Sequence, residues 1–146
     1  MTSAQAPADS PVEGARKVLS VLLYSSNALT RGSVRLAVGR RPAPDVAPLD
    51  WTECATQDAV LAAVARGGFD LLVLDGEASP AGGMGLCKQL KDEVSDCPPV
   101  LVLIGRSQDA WLATWSRADF VVPYPLDPLA VAEAVARLAR GREAGR

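Results

Sequence analysis

The segment FDLLVLDGEASP, residues 69–80, is an apolar run that stops at a single carboxylate, Asp75. A carboxylate at the end of a buried strand can serve as a nucleophile, a metal ligand or a hydrogen-bond acceptor. The residue types around it decide which. The sequence contains no histidine. The commonest general base near neutral pH is therefore missing, and no Ser-His-Asp or Cys-His mechanism can be assembled from this chain. Ser25 and Ser26 form a hydroxyl pair with no base to activate it. Cys54, Cys87 and Cys97 show no CxxC spacing and cannot all pair with one another, so they read as reduced, partly buried thiols. Three thiols without a histidine are a poor zinc set. The stretch AGGMG, residues 81–85, has neither the GxxxxGK[ST] pattern nor GxGxxG spacing after a strand, and reads as a turn entering a helix that starts at Gly83 or Gly85. No metal or other cofactor is expected.

The elements that would position Asp75 follow from apolar patterning. The 146 residues are 49% apolar and 22% charged, a globular balance with room for one domain. A net charge of −2 leaves no electrostatic footprint for nucleic acid. No apolar run reaches the roughly 18 to 20 residues of a membrane span, so direct membrane insertion is not expected. Residues 1–15 read as a disordered N-terminal tail, 16–140 as the domain and 141–146 as a C-terminal tail. KVLSVLLY (17–24), WTECAT (51–56), FDLLVLD (69–75), PPVLVLIG (98–105) and DFVVPYP (119–125) are candidate strands. The helices between them are weakest after Asn27, where Gly32 interrupts the pattern. They are clearest at LDPLAVAEAVARLARG (126–141), with Asp127 as N-cap, Pro128 at N1 and Gly141 as the stop. Residues 40–50 carry three prolines and read as a loop. Five βα repeats imply an α/β fold, a five-stranded parallel sheet with helices on both faces. Function in such folds gathers at the carboxyl ends of the strands, where Asp75 lies.

FDLLVLD followed by a proline, PPVLVLIGR and ADFVVPYPLDPLAVAEAV together resemble a response-regulator receiver domain, the flavodoxin-like (βα)5 fold, over residues 16–140. The resemblance implies that Asp75 stands where the family's aspartate accepts a phosphoryl group from a histidine kinase. It also shows what has changed. The family's acid pair after the first strand is Ser25 and Ser26. Its hydroxyl at the end of the fourth strand is Ile104, its switch aromatic is Val121, and its lysine before the last proline is Tyr124. Glu77, on the loop, does not replace the acid pair. The family holds the bond before that proline cis, so Tyr124–Pro125 is expected cis.

With those partners replaced, Asp75 reads as a vestigial phosphoacceptor position, an acceptor that caps a loop or meets solvent. The chain reads as a non-catalytic pseudo-receiver that binds a protein partner through its surface. It is similar to atypical single-domain receivers of actinobacteria found beside the genes of respiratory NADH dehydrogenase, complex I. That similarity implies an accessory or regulatory role on the peripheral arm of complex I, in the cytoplasm, with membrane association through the complex left open. The alternative is a phosphorylatable single-domain regulator served by a histidine kinase through Asp75. Alignment with the family puts Trp111 on a core position and Trp115 on a solvent-facing one, so Trp115 is the expected interface anchor. The loop at 40–50 is either a second contact surface or a solvated spacer.

Overall fold

Each apolar run is bounded by residues that end it, and five of them become strands. The computed structural model describes residues 18–145, so the tail expected over 1–15 lies outside the described residues. Strands β1 (Leu19–Tyr24), β2 (Leu49–Cys54), β3 (Leu71–Asp75), β4 (Val100–Ile104) and β5 (Phe120–Pro123) alternate with helices α1 (Ala28–Val38), α2 (Gln57–Arg66), α3 (Gly83–Glu93), α4 (Trp111–Ser116) and α5 (Pro128–Ala144). All strand pairs are parallel, in the order β2-β1-β3-β4-β5. β3 is the middle strand. Every residue of β3 and β4 is buried, as parallel strands covered on both faces require.

Two apolar layers follow from the alternation of side chains along the strands. Val21, Leu23, Leu71, Val73, Leu101 and Leu103 pack against α1 and α5 through Val34, Val38, Val131 and Val135. Leu22, Tyr24, Leu72, Leu74, Val102 and Ile104 pack against α2 and α3 through Val60, Val64, Leu86 and Leu90. Truncating one of these leucines to alanine costs about 2–5 kcal/mol.

The capping residues act as their types dictate. The Asn27 side chain accepts from the Leu29 N–H, Thr56 from Ala59 N–H and Asp127 from Leu129 N–H. α3 starts at Gly83, whose Cα lies so close to the backbone of β3 that a β-carbon would meet the Asp75 carbonyl oxygen at 2.7 Å. Only glycine allows that approach.

Three expectations need correction. α5 does not stop at Gly141 but runs to Ala144, so most of the expected C-terminal tail is helix and only Arg146 lies outside the described residues. Arg142, in that added turn, bonds Asp70 at 3.5 Å and suits the negative end of the helix dipole. β2 begins at Leu49, two residues before the expected strand, because Leu49 pairs with Leu19 and its N–H donates to the Arg40 carbonyl. The loop before it is anchored: Val46 is buried in the core, and Arg140 makes a two-bonded ion pair with Asp45. Finally, Trp111 is not a core residue. It is 69% exposed, and Trp115 is 51% exposed. The segment before Trp111 is a 3-10 turn, Ser107–Ala110. Each such residue advances about 120° where an α-helix advances about 100°, so four of them rotate the following face by roughly 80°.

Candidate functional site

The strand order reverses between β1 and its two neighbours, β2 and β3, which opens a crevice at their carboxyl ends. Asp75, the last residue of β3, enters it with only 3% of its surface exposed. Oδ2 accepts a hydrogen bond from Ser25 Oγ at 2.7 Å. Oδ1 accepts two, from Tyr124 Oη and from the backbone N–H of Glu77, each at 2.9 Å. The carboxylate thus ties the end of β3 to the loop after β1, the loop after β5 and its own loop. Hydroxyls and an amide do this, and all three donors are neutral.

The donors are themselves held in place. Ser25 is fully buried, and its Oγ accepts the Asn27 N–H at 3.0 Å while donating to Asp75. Its carbonyl accepts from Arg31 Nη1 at 2.6 Å, and Arg31 is fixed by Glu53. Ser26 is exposed, and its Oγ accepts the Ser79 N–H at 3.0 Å in place of a bond to Asp75. The Tyr124 hydroxyl is held well above its ordinary ionisation range, first by burial and then by its bond to Asp75, so it stays a proton donor. The Tyr24 hydroxyl, raised by burial and by the Asp75 charge, donates to the Ala81 carbonyl beneath the same loop. Both the Tyr124–Pro125 bond, as expected, and the Ser79–Pro80 bond are cis.

Around this hub lies an open cleft of about 420 Å³, lined by Ser26, Asn27, Thr30, Asp75, Glu77, Gly105 and Tyr124. Sequence reasoning missed Thr30, which lines the cleft together with Tyr124. Its place in the first turn after the Asn27 cap is the signal that could have found it. The Glu77 carboxylate folds over Gly105, where a β-carbon would sit 2.5 Å from Oε2. Ile104 and Val121 do not reach the cleft; both pack in the α2–α3 layer. Trp115 lies on α4, away from the cleft-lining residues.

Magnesium needs several hard oxygen ligands in near-octahedral array. The residues present do not fit it. The acid-pair positions carry hydroxyls already committed to Asp75, Asn27 and Ser79. Three of the roughly four lone-pair positions of Asp75 are taken. Among the described residues no group of three His, Cys, Asp or Glu side chains is placed to hold a metal ion.

The architecture is that of receiver domains. A CheY-like receiver domain of Methanospirillum hungatei superposes with a TM-score of 0.69 at 14% identity, over 89% of this chain and 100% of that one. A chemotaxis response regulator of Vibrio cholerae gives 0.68 at 17% identity, over 84% and 99%. Two response regulatory proteins of Mycobacterium tuberculosis, both uncharacterized, from strains CDC 1551 and H37Rv, are each 52% identical over 122 residues, covering 84% of this chain and 92% of theirs. The chain belongs to the response regulator family and consists, over its described residues, of a receiver domain. No protein-family model matches it. None of the described helices is long and apolar enough to cross a membrane.

Proposed function

We propose that this receiver is non-catalytic: a protein–protein interaction module that works through its surface, not through phosphoryl transfer. The observation that carries this reading is the neutral donor set around Asp75. Transfer of a phosphoryl group to an aspartate depends on positioning and on cationic stabilisation of spreading negative charge. Ser25, Ser26 and Tyr124 stand at the places of two acids and a lysine, and they provide hydrogen bonds instead. A carboxylate already accepting three of them is a structural hub. On this reading the chain is not an enzyme, uses no cofactor and acts through a protein partner.

The resemblance to actinobacterial receivers encoded beside respiratory NADH dehydrogenase names that partner as the peripheral arm of complex I. The chain would then be an accessory or regulatory subunit, cytoplasmic and brought to the membrane only by the complex. The mycobacterial origin of the two close relatives agrees with that resemblance. Trp115, half exposed on α4, is the anchor we assign to the partner surface. The test is co-purification of the tagged chain from its native cells in mild detergent. Asp75→Asn, which keeps the shape of the hub, should retain complex I subunits, and Trp115→Ala should lose them. Loss of the subunits from folded Asp75→Asn protein would overturn the reading.

A further inference from the structure

β2 is one edge of the sheet, and part of that edge is open. The Leu19 N–H donates to the Pro48 carbonyl and the Ser25 N–H to the Cys54 carbonyl, so the even-numbered residues of β2 turn their carbonyls toward β1. Peptide groups alternate in direction along a strand, so Leu49, Trp51 and Glu53 turn N–H and C=O outward. Leu49 is already served, because its N–H donates to the Arg40 carbonyl. Beside Trp51 and Glu53 no further strand of the described residues pairs with β2. A row of unpaired main-chain groups of this kind is a template for another strand.

The same residues form one wall of a groove of about 580 Å³ between β2 and α1, lined by Arg35, Leu36, Arg40, Trp51 and Glu53 among others. Its charge is unbalanced. Glu53 holds two guanidiniums, Arg31 through Nε and Arg35 through Nη1, each at 2.8 Å, and its single charge neutralises only one of them. Arg40, exposed at the other end of β2, makes no ion pair among the described residues. Asp50 alternates to the opposite face of the strand. Excess positive charge therefore stands at both ends of the groove, about 13 Å apart at four strand steps. Between them lies an apolar floor. The Trp51 ring carries the Arg35 guanidinium 6.0 Å from its centroid, and Leu36 is 86% exposed beside it.

We propose that an acidic, extended segment of a partner protein adds to the open edge of β2 and lies along this groove. Strand addition draws affinity from main-chain hydrogen bonds and specificity from alternate side chains. In an extended segment, side chains two apart share a face at about 7 Å. The sequence chemistry that fits is acid-x-apolar-x-acid. The apolar side chain lies over Trp51, one acid turns toward Arg40 and the other toward Arg35. The pattern reads the same in both directions, so charge does not choose between parallel and antiparallel addition. A second copy of this chain does not meet the requirement, because its own β2 edge presents the same excess of arginine. Nucleic acid would meet the arginines, but it offers no peptide ladder to Trp51 and Glu53. The surface uses neither Asp75 nor Trp115 and lies at the opposite edge of the sheet from β5, so it stands or falls separately from the proposed function.

Amide NMR titration of the full chain at low salt with the blocked peptide Gly-Thr-Glu-Thr-Val-Thr-Glu-Thr-Gly tests this. Saturable shifts are expected at Arg40, Trp51 and Glu53, weakening as salt rises. Exchanging both peptide glutamates for lysine should abolish them. Arg40→Glu, at an exposed position and checked for folding by circular dichroism, should weaken binding by about tenfold or more, and a peptide with one glutamate changed to lysine should recover part of the loss. Neighbouring amides of an added strand face opposite ways. N-methylation of the peptide at its valine or at the threonine before it should therefore abolish binding in one case and spare it in the other. A chain that shows no saturable shift at millimolar peptide would overturn the proposal. So would binding indifferent to Arg40→Glu, equal tolerance of both N-methyl groups, or a thymidine oligonucleotide that produces the same shifts with equal affinity.

Discussion

Replacing Asp75 by alanine tests the hub through its sign. Were Asp75 one of several clustered carboxylates, its removal would relieve like-charge repulsion and raise stability. Here its partners are Ser25 Oγ, Tyr124 Oη and the Glu77 N–H. Removal strands the Ser25 hydroxyl, which is fully buried, at a cost of about 1–3 kcal/mol. Tyr124 is half-buried and Glu77 exposed, so their donors recover water and together add about 1 kcal/mol. The end of the cost of keeping a carboxylate from water offsets part of this. The net is a loss of about 2 kcal/mol, or roughly 4–8 °C in melting temperature for a chain of this size. Thermal and urea melts of wild type, Asp75→Ala, Tyr124→Phe and the double variant measure it. The double-variant cycle should show coupling between the two residues of about 1 kcal/mol. An Asp75→Ala protein melting at or above wild type would refute the reasoning.

Three further outcomes follow from the same geometry. Trp111→Ala and Trp115→Ala should each change stability by less than about 1 kcal/mol, since both side chains are more than half exposed; an early melt of either shows that it is core. Burial pushes the Cys87 thiol up to about 11 and raises Cys54 and Cys97 as well. The folded state therefore holds these protons more tightly than the unfolded state, and stability should be fully present below the ordinary thiol range near pH 8.5 and fall as pH rises from there toward 11. Denaturant melts across that range, compared with Cys87→Ala, check the direction, and a stability that rises there would contradict it. Titration with Mg²⁺, followed by amide shifts around Asp75, should show no saturable response; saturation at low millimolar metal that disappears in Asp75→Asn would contradict the donor-set argument.

Local signals carried most of the fold. The Asp127–Pro128 start of α5 and the doubly apolar runs of β3 and β4 specify their elements without long-range help. The elements misjudged were those decided by distant contacts. Leu49 joins β2 because Leu19 lies beside it, and α5 passes Gly141 to a turn in which Arg142 meets Asp70. Trp111 was misplaced for a local reason of another kind, because a 3-10 turn shifts helical phase without any composition that announces it. At the site, substitution was legible and its consequence was not. Ser25 and Tyr124 could be placed at altered positions by alignment. That their hydroxyls converge on Asp75 from residues 50 and 49 positions away is a property of the folded sheet.

The central claim is that Asp75 is an acceptor of hydrogen bonds and not of phosphorus. Incubating the folded chain with a small-molecule acyl phosphate donor and Mg²⁺, then recording its intact mass without acid treatment, tests it most directly. The account predicts a single unmodified mass for wild type and Asp75→Asn alike. A wild-type species heavier by one phosphoryl group, labile to acid and missing from Asp75→Asn, would contradict it.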